Sequence, residues 1–221
     1  MVALKKVFSW LWPLPVRRVE GKLTKILEIN YEQGKKVLHA GEVNYSFGSL
    51  HHVFRVALQK AKVIESPPEK VLILGFGAGS IASILVDEFN QHPQMTGIEA
   101  DPVVIHLAKE EFGIDRFTDL EIENTTAEKF IHACHSRFDL IAVDVFVEAK
   151  VPDSCRSHGF LEDLYRCLQK DGRVVFNEMP GENAGDEFVQ RFRNNFDETE
   201  IHQLNSGGAA NRILIGYRRK N

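Results

Sequence analysis

The sequence predicts an α/β protein in which helices cover both faces of a doubly wound, mostly parallel sheet, preceded by a small β unit. Two observations predict this fold class. Between residues 71 and 196, apolar segments of strand length alternate regularly with segments of helical period, which is typical of a parallel sheet. The last two apolar segments are joined by the glycine-bearing stretch NSGGAAN, and two adjacent strands with a short loop between them must be antiparallel.

The region before this sheet is predicted to form a small antiparallel unit. Apolar and polar residues alternate from residue 21 to residue 46, with turn signals at Gln33-Gly34 and Ala40-Gly41. Ser49 is predicted to cap the helix that follows. We therefore divide the chain into an N-terminal segment with the small β unit, residues 1–48, and a main domain, residues 49–221.

The elements of the main domain follow from apolar periodicity and from turn residues. The predicted strands are residues 71–74, 95–98, 120–123, 138–143, 173–176, 198–204 and 212–217. The predicted helices are residues 80–90, 102–112, 128–135 and 159–170, and one that carries Phe188, Phe192 and Phe196.

Length, charge and cysteine content limit the class of protein. The 221 residues, 43% of them hydrophobic, can bury one good core. A net charge of −4 gives no general attraction to nucleic acid, so we expect a small-molecule substrate and no nucleic-acid partner. Cys134, Cys155 and Cys167 are odd in number and lack the repeated spacing of zinc ligands. They predict reduced thiols, no metal site and a cytoplasmic protein.

The N-terminus has only a superficial likeness to a signal peptide. Pro13 and Pro15 interrupt its apolar run, two arginines follow at once, and no small-residue cleavage site is present. The run is too short to span a bilayer. Its aromatic residues, among them Trp10 and Trp12, either pack within the chain, contact a second subunit or dock on a membrane surface, and we favour the first two. We expect a homodimer and no membrane association.

The stretch LGFGAGS is the clearest functional signal. Gly75, Gly77 and Gly79 separate a buried strand from a helix, so the backbone can turn sharply, a ligand can approach, and the helix directs free N–H groups toward it. The lysine of a phosphate-binding loop is absent. Ser80 stands at the sixth position of the dinucleotide pattern G-x-G-x-x-G/A, so the match to that pattern is imperfect. A cofactor site and a tight turn without a ligand both remain open at this point.

Glu99 ends the second strand of the main domain. A carboxylate in that position reaches the ribose hydroxyls of a bound nucleoside. The alternative is an ordinary acid at a helix start. Asp101, directly before Pro102, already fits that role, so Glu99 needs a reason of its own.

Four stretches, ILGFGAGS, GIEADP, FDLIAVDVF and LEDLYRCLQKDGRVVFN, resemble the class I S-adenosylmethionine-dependent methyltransferase fold in its spermidine-synthase-like branch. The resemblance covers about residues 21–217. It implies a Rossmann-like sheet of seven strands that ends in an antiparallel hairpin. It also implies S-adenosylmethionine or decarboxylated S-adenosylmethionine as the cofactor.

The resemblance further implies roles for particular residues. It places cofactor contacts on Gly75, Gly77, Gly79, Glu99, Ala100, Thr126, Ala127 and Asp144. Asp144 corresponds to the catalytic acid of aminopropyltransferases, and the alternative is that it only orients the cofactor or caps a loop. Acceptor contacts are expected on Tyr45, Ser46, His51 and His52. One of the two histidines is a candidate base near neutral pH, unless both lie on the exposed side of their helix.

Two departures from the aminopropyltransferase pattern bear on the reaction. Ala78 stands where those enzymes carry an acid within the glycine turn, and Val147 stands where they carry a second acid after the catalytic one. A dicationic polyamine needs several carboxylates to replace its water. We therefore predict methyl transfer to a small-molecule acceptor. Aminopropyl transfer and non-catalytic nucleoside binding remain the alternatives.

Overall fold

The computed structural model describes residues 6–41, 43–147, 150–178, 187–206 and 209–219, and these form two sheets. The N-terminal sheet is antiparallel, with its strands in chain order: β1 Leu14–Val19, β2 Leu27–Glu32, β3 Lys35–Ala40 and β4 Val43–Ser46. The main sheet has the order β10-β11-β9-β8-β5-β6-β7. Its strands are β5 Lys70–Leu74, β6 Gln94–Glu99, β7 Leu120–Asn124, β8 Phe138–Val143, β9 Leu168–Glu178, β10 Glu198–Ser206 and β11 Ala209–Tyr217.

The pairing of the main sheet confirms the predicted fold class. Strands β5 to β9 pair in parallel, and β10 and β11 form an antiparallel hairpin that joins the sheet through β9. We label six α-helices: α1 Gly48–Lys60, α2 Ser80–Ser83, α3 Pro102–Phe112, α4 Ala127–Ala133, α5 His158–Arg166 and α6 Glu187–Asn195. Helix α2 continues as a π-helical turn, Ile84–Glu88. Within the described residues, no helix combines the length and apolar character that a membrane crossing needs.

Both faces of the main sheet are buried, one under the N-terminal sheet together with helices and the other under helices alone. One cluster of buried side chains joins Leu27 and Leu38 of the N-terminal sheet to Phe54 of α1 and Ile73 of β5. The second cluster joins the other face of the main sheet to α4, α5 and α6. The N-terminal unit therefore shares a core with the main sheet, and the division of the chain after residue 48 stays a prediction.

Three local predictions need correction. Helix α1 begins at Gly48 after Phe47, whose φ is 67°, so Ser49 lies inside the first turn rather than at the cap. Strand β1 pairs with β2 and was not predicted, because prolines and arginines hide its alternation. The helix predicted to reach residue 170 ends at Arg166, because Leu168 already pairs with Phe138 as the start of β9.

Candidate functional site

The carboxyl ends of the parallel strands meet at one edge of the main sheet, which is where sheets of this kind bind ligands. A cavity lies at this edge. Its lining combines strand ends, the loop after β8 and the loop between β1 and β2. The lining residues are Leu23, Thr24, Gly75, Ile98, Glu99, Ala100, Thr125, Ala127, Asp144, Val145, Phe146 and Val147.

The cavity brings together five of the predicted cofactor residues: Gly75, Glu99, Ala100, Ala127 and Asp144. Its described lining carries two carboxylates and no basic side chain, with apolar residues making up most of the rest. Such a lining favours a ligand that is partly apolar and carries positive charge.

The N–H groups of the glycine turn itself are all engaged within the protein, and the prediction that the following helix directs its N–H groups at a ligand stays a prediction. The N–H groups of Gly75 and Phe76 donate to the carbonyl of Ile98, and that of Gly79 donates to the carbonyl of Phe76. The other two groups of the turn also have partners. The Gly77 N–H donates to Glu99 Oε2 at 2.9 Å, and the Ala78 N–H donates to Ser46 Oγ at 3.2 Å. A phosphate bound at this turn would find all five of these donors already engaged.

Gly75 has a steric reason to be glycine. A Cβ atom at this position would lie 2.2 Å from the carbonyl oxygen of Asp144, and the backbone has a φ of +83°. The absence of a side chain lets the end of β5 pass close to the end of β8, where the Asp144 N–H donates to the carbonyl of Leu74 at 2.8 Å. Gly75 therefore sets the position of Asp144 as well as a wall of the cavity.

Glu99 is almost completely buried, with 3% of its surface exposed. Its Oε2 accepts the Gly77 N–H, and its Oε1 accepts the Asp101 N–H at 3.0 Å. Burial raises the pKa of Glu99, and these backbone hydrogen bonds oppose the rise. A carboxylate has about four lone-pair positions. The carboxylate therefore keeps acceptor capacity for hydroxyl groups of a ligand in the cavity.

Asp144 follows β8 and lines the same cavity. Burial raises the pKa of its carboxyl group to about 7, a hydrogen bond from Asn177 opposes the rise, and the negative charge of Glu99 adds to it. Asn177 Nδ2 donates to Asp144 Oδ1 at 3.0 Å. Among the described residues, Asp144 Oδ2 has no hydrogen-bond partner. An acid of this kind can accept or release a proton near neutral pH.

Asn177 and Asn124 belong to the site although the sequence interpretation did not assign them. Asn177 is fully buried one residue before the end of β9, and its Oδ1 has no partner within the described chain. Asn124 ends β7, and its Nδ2 donates to the carbonyls of Glu99 and Ala100 at 2.9 and 3.0 Å. A polar residue at the carboxyl end of a parallel strand was the sequence signal that could have found both.

Thr126 and Ala127 stand at the start of α4. Ala127 lines the cavity together with Thr125, whereas Thr126 does not. The Thr126 Oγ1 is nevertheless buried, and no described residue offers it a hydrogen bond. This unpartnered hydroxyl belongs to a residue between two that line the cavity, and a buried hydroxyl normally has a hydrogen-bond partner.

The predicted acceptor residues are less close together. Ser46 is buried and touches the glycine turn through Ala78. His51 lies between Ser80 Oγ at 3.2 Å and Glu88 Oε1 at 2.6 Å, and His52 contacts Arg55. Neither histidine is among the described residues that line the cavity. The side chain of Tyr45 lies outside the described part of the chain.

The residues present fit a nucleoside sulfonium better than a dinucleotide. Glu99 keeps acceptor capacity for ribose hydroxyls, and the two carboxylates suit a cation. Ala100, Ile98 and Ala127 give apolar surface for a base. A pyrophosphate would need N–H donors that the turn no longer offers.

Comparison with known proteins decides the family. A family model described as a methyltransferase domain matches residues 65–214. The chain belongs to this methyltransferase-domain family. Together with its structural likenesses, the match confirms the S-adenosylmethionine-dependent methyltransferase fold in its spermidine-synthase-like branch.

Three similar proteins illustrate that placement. The polyamine aminopropyltransferase of Vibrio vulnificus is 26% identical over 134 residues, which are 59% of this chain and 44% of that protein. The chain therefore spans less than half the length of this relative. Spermidine synthase from Thermotoga maritima has a TM-score of 0.73 at 13% identity, covering 94% of this chain and 74% of that one. Human methyltransferase-like protein 13, solved with S-adenosylhomocysteine, has a TM-score of 0.64 at 18% identity, covering 79% and 83%.

Proposed function

We propose that the protein is a transferase that moves an alkyl group from the sulfonium of an S-adenosyl donor to an amine, and that this group is aminopropyl. The observation that carries the proposal is Asp144, a carboxylate that shares one cavity with Glu99 and has an oxygen open to a substrate. The relatives named polyamine aminopropyltransferase support aminopropyl as the group. They favour it over the methyl transfer predicted from Ala78 and Val147.

The donor, when bound, supplies a cationic sulfonium whose attached carbon is open to in-line displacement by an amine lone pair. Glu99 is the group that accepts hydrogen bonds from the ribose. Asp144 Oδ1 is already engaged by Asn177, so Oδ2 is the oxygen that would take the proton from the amine nitrogen. In that step the C–N bond forms, the C–S bond of the donor breaks, and the thioether nucleoside leaves. The apolar residues Val145 and Phe146 restrict water around the reacting atoms.

Methyl transfer is the second candidate, and Ala78 and Val147 favour it. Ala78 is fully buried and is not among the described residues that line the cavity, whereas Val147 lines the cavity with 46% of its surface exposed. Neither residue supplies the carboxylate that would hold the ammonium of decarboxylated S-adenosylmethionine or of a polyamine.

One assay separates the two candidates. The protein is incubated with putrescine and either S-adenosylmethionine or its decarboxylated form, and the products are identified by mass spectrometry beside an Asp144→Asn control. We expect spermidine from the decarboxylated donor and none from the control. A methylated amine from S-adenosylmethionine alone would favour methyl transfer. Nucleoside binding without any transfer, across a panel of amines, would make the protein a nucleoside-binding protein without this activity.

We also propose a homodimer that uses the N-terminal segment. Trp10, Leu11 and Trp12 are 70%, 80% and 76% exposed, a large apolar surface for three consecutive residues. Ser9 fixes this segment to the N-terminal sheet, because its carbonyl accepts the Gln33 N–H and its Oγ accepts the Gly34 N–H. The patch is thus held in place and available to a second copy. The three cysteines are free and buried, which supports a reducing compartment such as the cytoplasm.

A further inference from the structure

Asp101 connects the nucleoside end of the cavity to the N-terminal sheet. Its Oδ1 accepts the Val103 N–H at 2.9 Å and caps α3, as the sequence predicts. Its Oδ2 has a different task. It accepts the N–H groups of Lys22 and Leu23, at 2.7 and 2.9 Å, from the loop between β1 and β2. Only 1% of Asp101 is exposed, so these hydrogen bonds are shielded from water.

The loop that Asp101 holds forms part of the cavity. Leu23 and Thr24 are the lining residues contributed by the N-terminal unit. Leu23 is 53% exposed, which is unusual for a leucine whose backbone is fixed by a buried carboxylate. A nucleoside in the cavity would cover part of this apolar surface and gain binding free energy from it.

Asp101 also contacts Glu99 directly. The Asp101 N–H donates to Glu99 Oε1 at 3.0 Å, so one residue fixes both the proposed ribose acceptor and the loop beside it. A displacement of the Asp101 backbone would move both groups together.

Gly21 independently supports the contact between Asp101 and the loop that precedes β2. A Cβ atom at Gly21 would lie 2.8 Å from Asp101 Oδ2 and 2.5 Å from the carbonyl oxygen of Thr24. The Gly21 N–H donates to that same carbonyl at 3.1 Å, closing the loop on itself. Only glycine lets the loop close this tightly and still reach the carboxylate.

We propose that Asp101 is a positioning residue for the S-adenosyl donor: it holds Leu23 and Thr24 at the cavity and orients the Glu99 carboxylate. The proposal rests on the proposed function, because it takes the nucleoside as the ligand. A carboxylate is required because its two oxygens accept three N–H groups. An amide has a single acceptor oxygen, and its NH₂ group would face N–H donors.

The test uses two variants and a matched control in the full chain. Asp101→Asn keeps the size of the side chain, but its one acceptor oxygen can bind the N–H group at the start of α3 or those of the loop, and not both. Gly21→Ala leaves Asp101 intact and pushes the loop away from it. Ser157→Ala is the control, because Ser157 caps α5 through Phe160 and lies outside the cavity lining. Dissociation constants for S-adenosylhomocysteine are measured by calorimetry, and melting temperatures are measured for every variant.

We expect both Asp101→Asn and Gly21→Ala to raise the dissociation constant by about tenfold or more, as the loss of one good contact does. Ser157→Ala should lower the melting temperature and leave the dissociation constant unchanged. If Asp101→Asn binds S-adenosylhomocysteine within twofold of wild type while melting earlier, Asp101 is only a helix cap and the proposal is wrong.

Hydrogen exchange keeps this proposal separate from the proposed function. The amides of Lys22 and Leu23 should be protected in the wild type and exchange faster in Asp101→Asn. A wild type that binds neither S-adenosylhomocysteine nor S-adenosylmethionine nor its decarboxylated form would refute the proposed function. The anchoring of the loop by Asp101 would then be decided by exchange at these two amides, where equal rates in wild type and variant would overturn it.

Discussion

The hydrogen bond between Asn177 and Asp144 gives the sharpest prediction for the reaction. Asn177→Leu removes the Nδ2 donor, which lies 3.0 Å from Asp144 Oδ1, and keeps a side chain of similar size. In the wild type this hydrogen bond lowers the pKa of Asp144 and opposes the larger effect of burial, leaving the pKa at about 7. The variant therefore has a higher pKa for this carboxyl group.

The size of the change follows from the bond that is lost. A hydrogen bond to a charged group contributes about 1.5–3 kcal/mol, and one pKa unit corresponds to about 1.36 kcal/mol. The pKa of Asp144 should thus rise by about one to two units. Because the base must be ionised to accept a proton, the acid limb of the kcat/KM profile should move to higher pH by the same amount. At pH 7 the ionised fraction, and with it the activity, should fall by about five- to fiftyfold.

The assay is a pH profile of kcat/KM for whichever transfer reaction is established, compared with the wild type and with Asn195→Leu. Asn195 is the matched control, since its amide bonds to the backbone of α6 and it lies outside the cavity lining. A profile of Asn177→Leu that keeps its acid limb, with activity lowered equally at every pH, would refute the assignment of Asp144 as the titrating base.

Three further predictions concern stability and assembly. Asp144→Asn should raise the free energy of unfolding at pH 8 by at most about 4 kcal/mol and leave it unchanged near pH 3. The reason is that the pKa of Asp144 is about 7 in the folded protein and 3.8 in the unfolded chain, so its ionised form destabilises the fold as pH rises through this window. Denaturant unfolding that shows no gain at pH 8 would contradict this. Gly75→Ala should unfold the protein or lower its melting temperature far more than Gly41→Ala does, because position 41 has a similar positive φ but nothing within 4 Å of an added Cβ. Equal melting temperatures would show that the approach to Asp144 is not tight. Replacing Trp10 and Trp12 by serine should convert a dimer into a monomer in light scattering, whereas Ile64→Ser, at an exposed residue elsewhere, should not; a wild type that is monomeric at high concentration would end the dimer proposal.

The sheet could be predicted from sequence because its signals are local. Residues 102–112 and 138–143 were predicted with the bounds that the structure has, since Asp101-Pro102 and a continuous apolar run mark them clearly. Strand β1 was missed because prolines and arginines hide its alternation, although its partner β2 is the next strand in the chain. The start of β9 was missed because its pairing partner is distant in sequence: Leu168 is helical by local pattern and a strand by its pairing with Phe138.

The candidate site was predictable only in part. Glu99 and Asp144 lie at strand ends, and a parallel sheet brings strand ends together. The hydrogen bonds of the site were not predictable, because they join residues such as Ser46 and Ala78 that are distant in sequence. Asn177 was missed because its position at a strand end was its only sequence signal, and its importance comes from the oxygen of Asp144 that it contacts.

The engagement of the glycine turn explains why this cavity suits a cationic nucleoside. With the N–H groups from Gly75 to Gly79 all donating within the protein, the turn contributes shape rather than positive charge. The charges left in the described lining are the two carboxylates, Glu99 and Asp144, and burial raises the pKa of both. A cation placed between them would favour their ionised forms and lower both pKa values. Burial makes the ionised forms of these two acids unfavourable in the protein without a ligand, and binding of a sulfonium recovers that free energy. A neutral thioether nucleoside of the same shape recovers none of this free energy. Because the reaction converts the sulfonium into a neutral thioether, the nucleoside product binds more weakly than the donor.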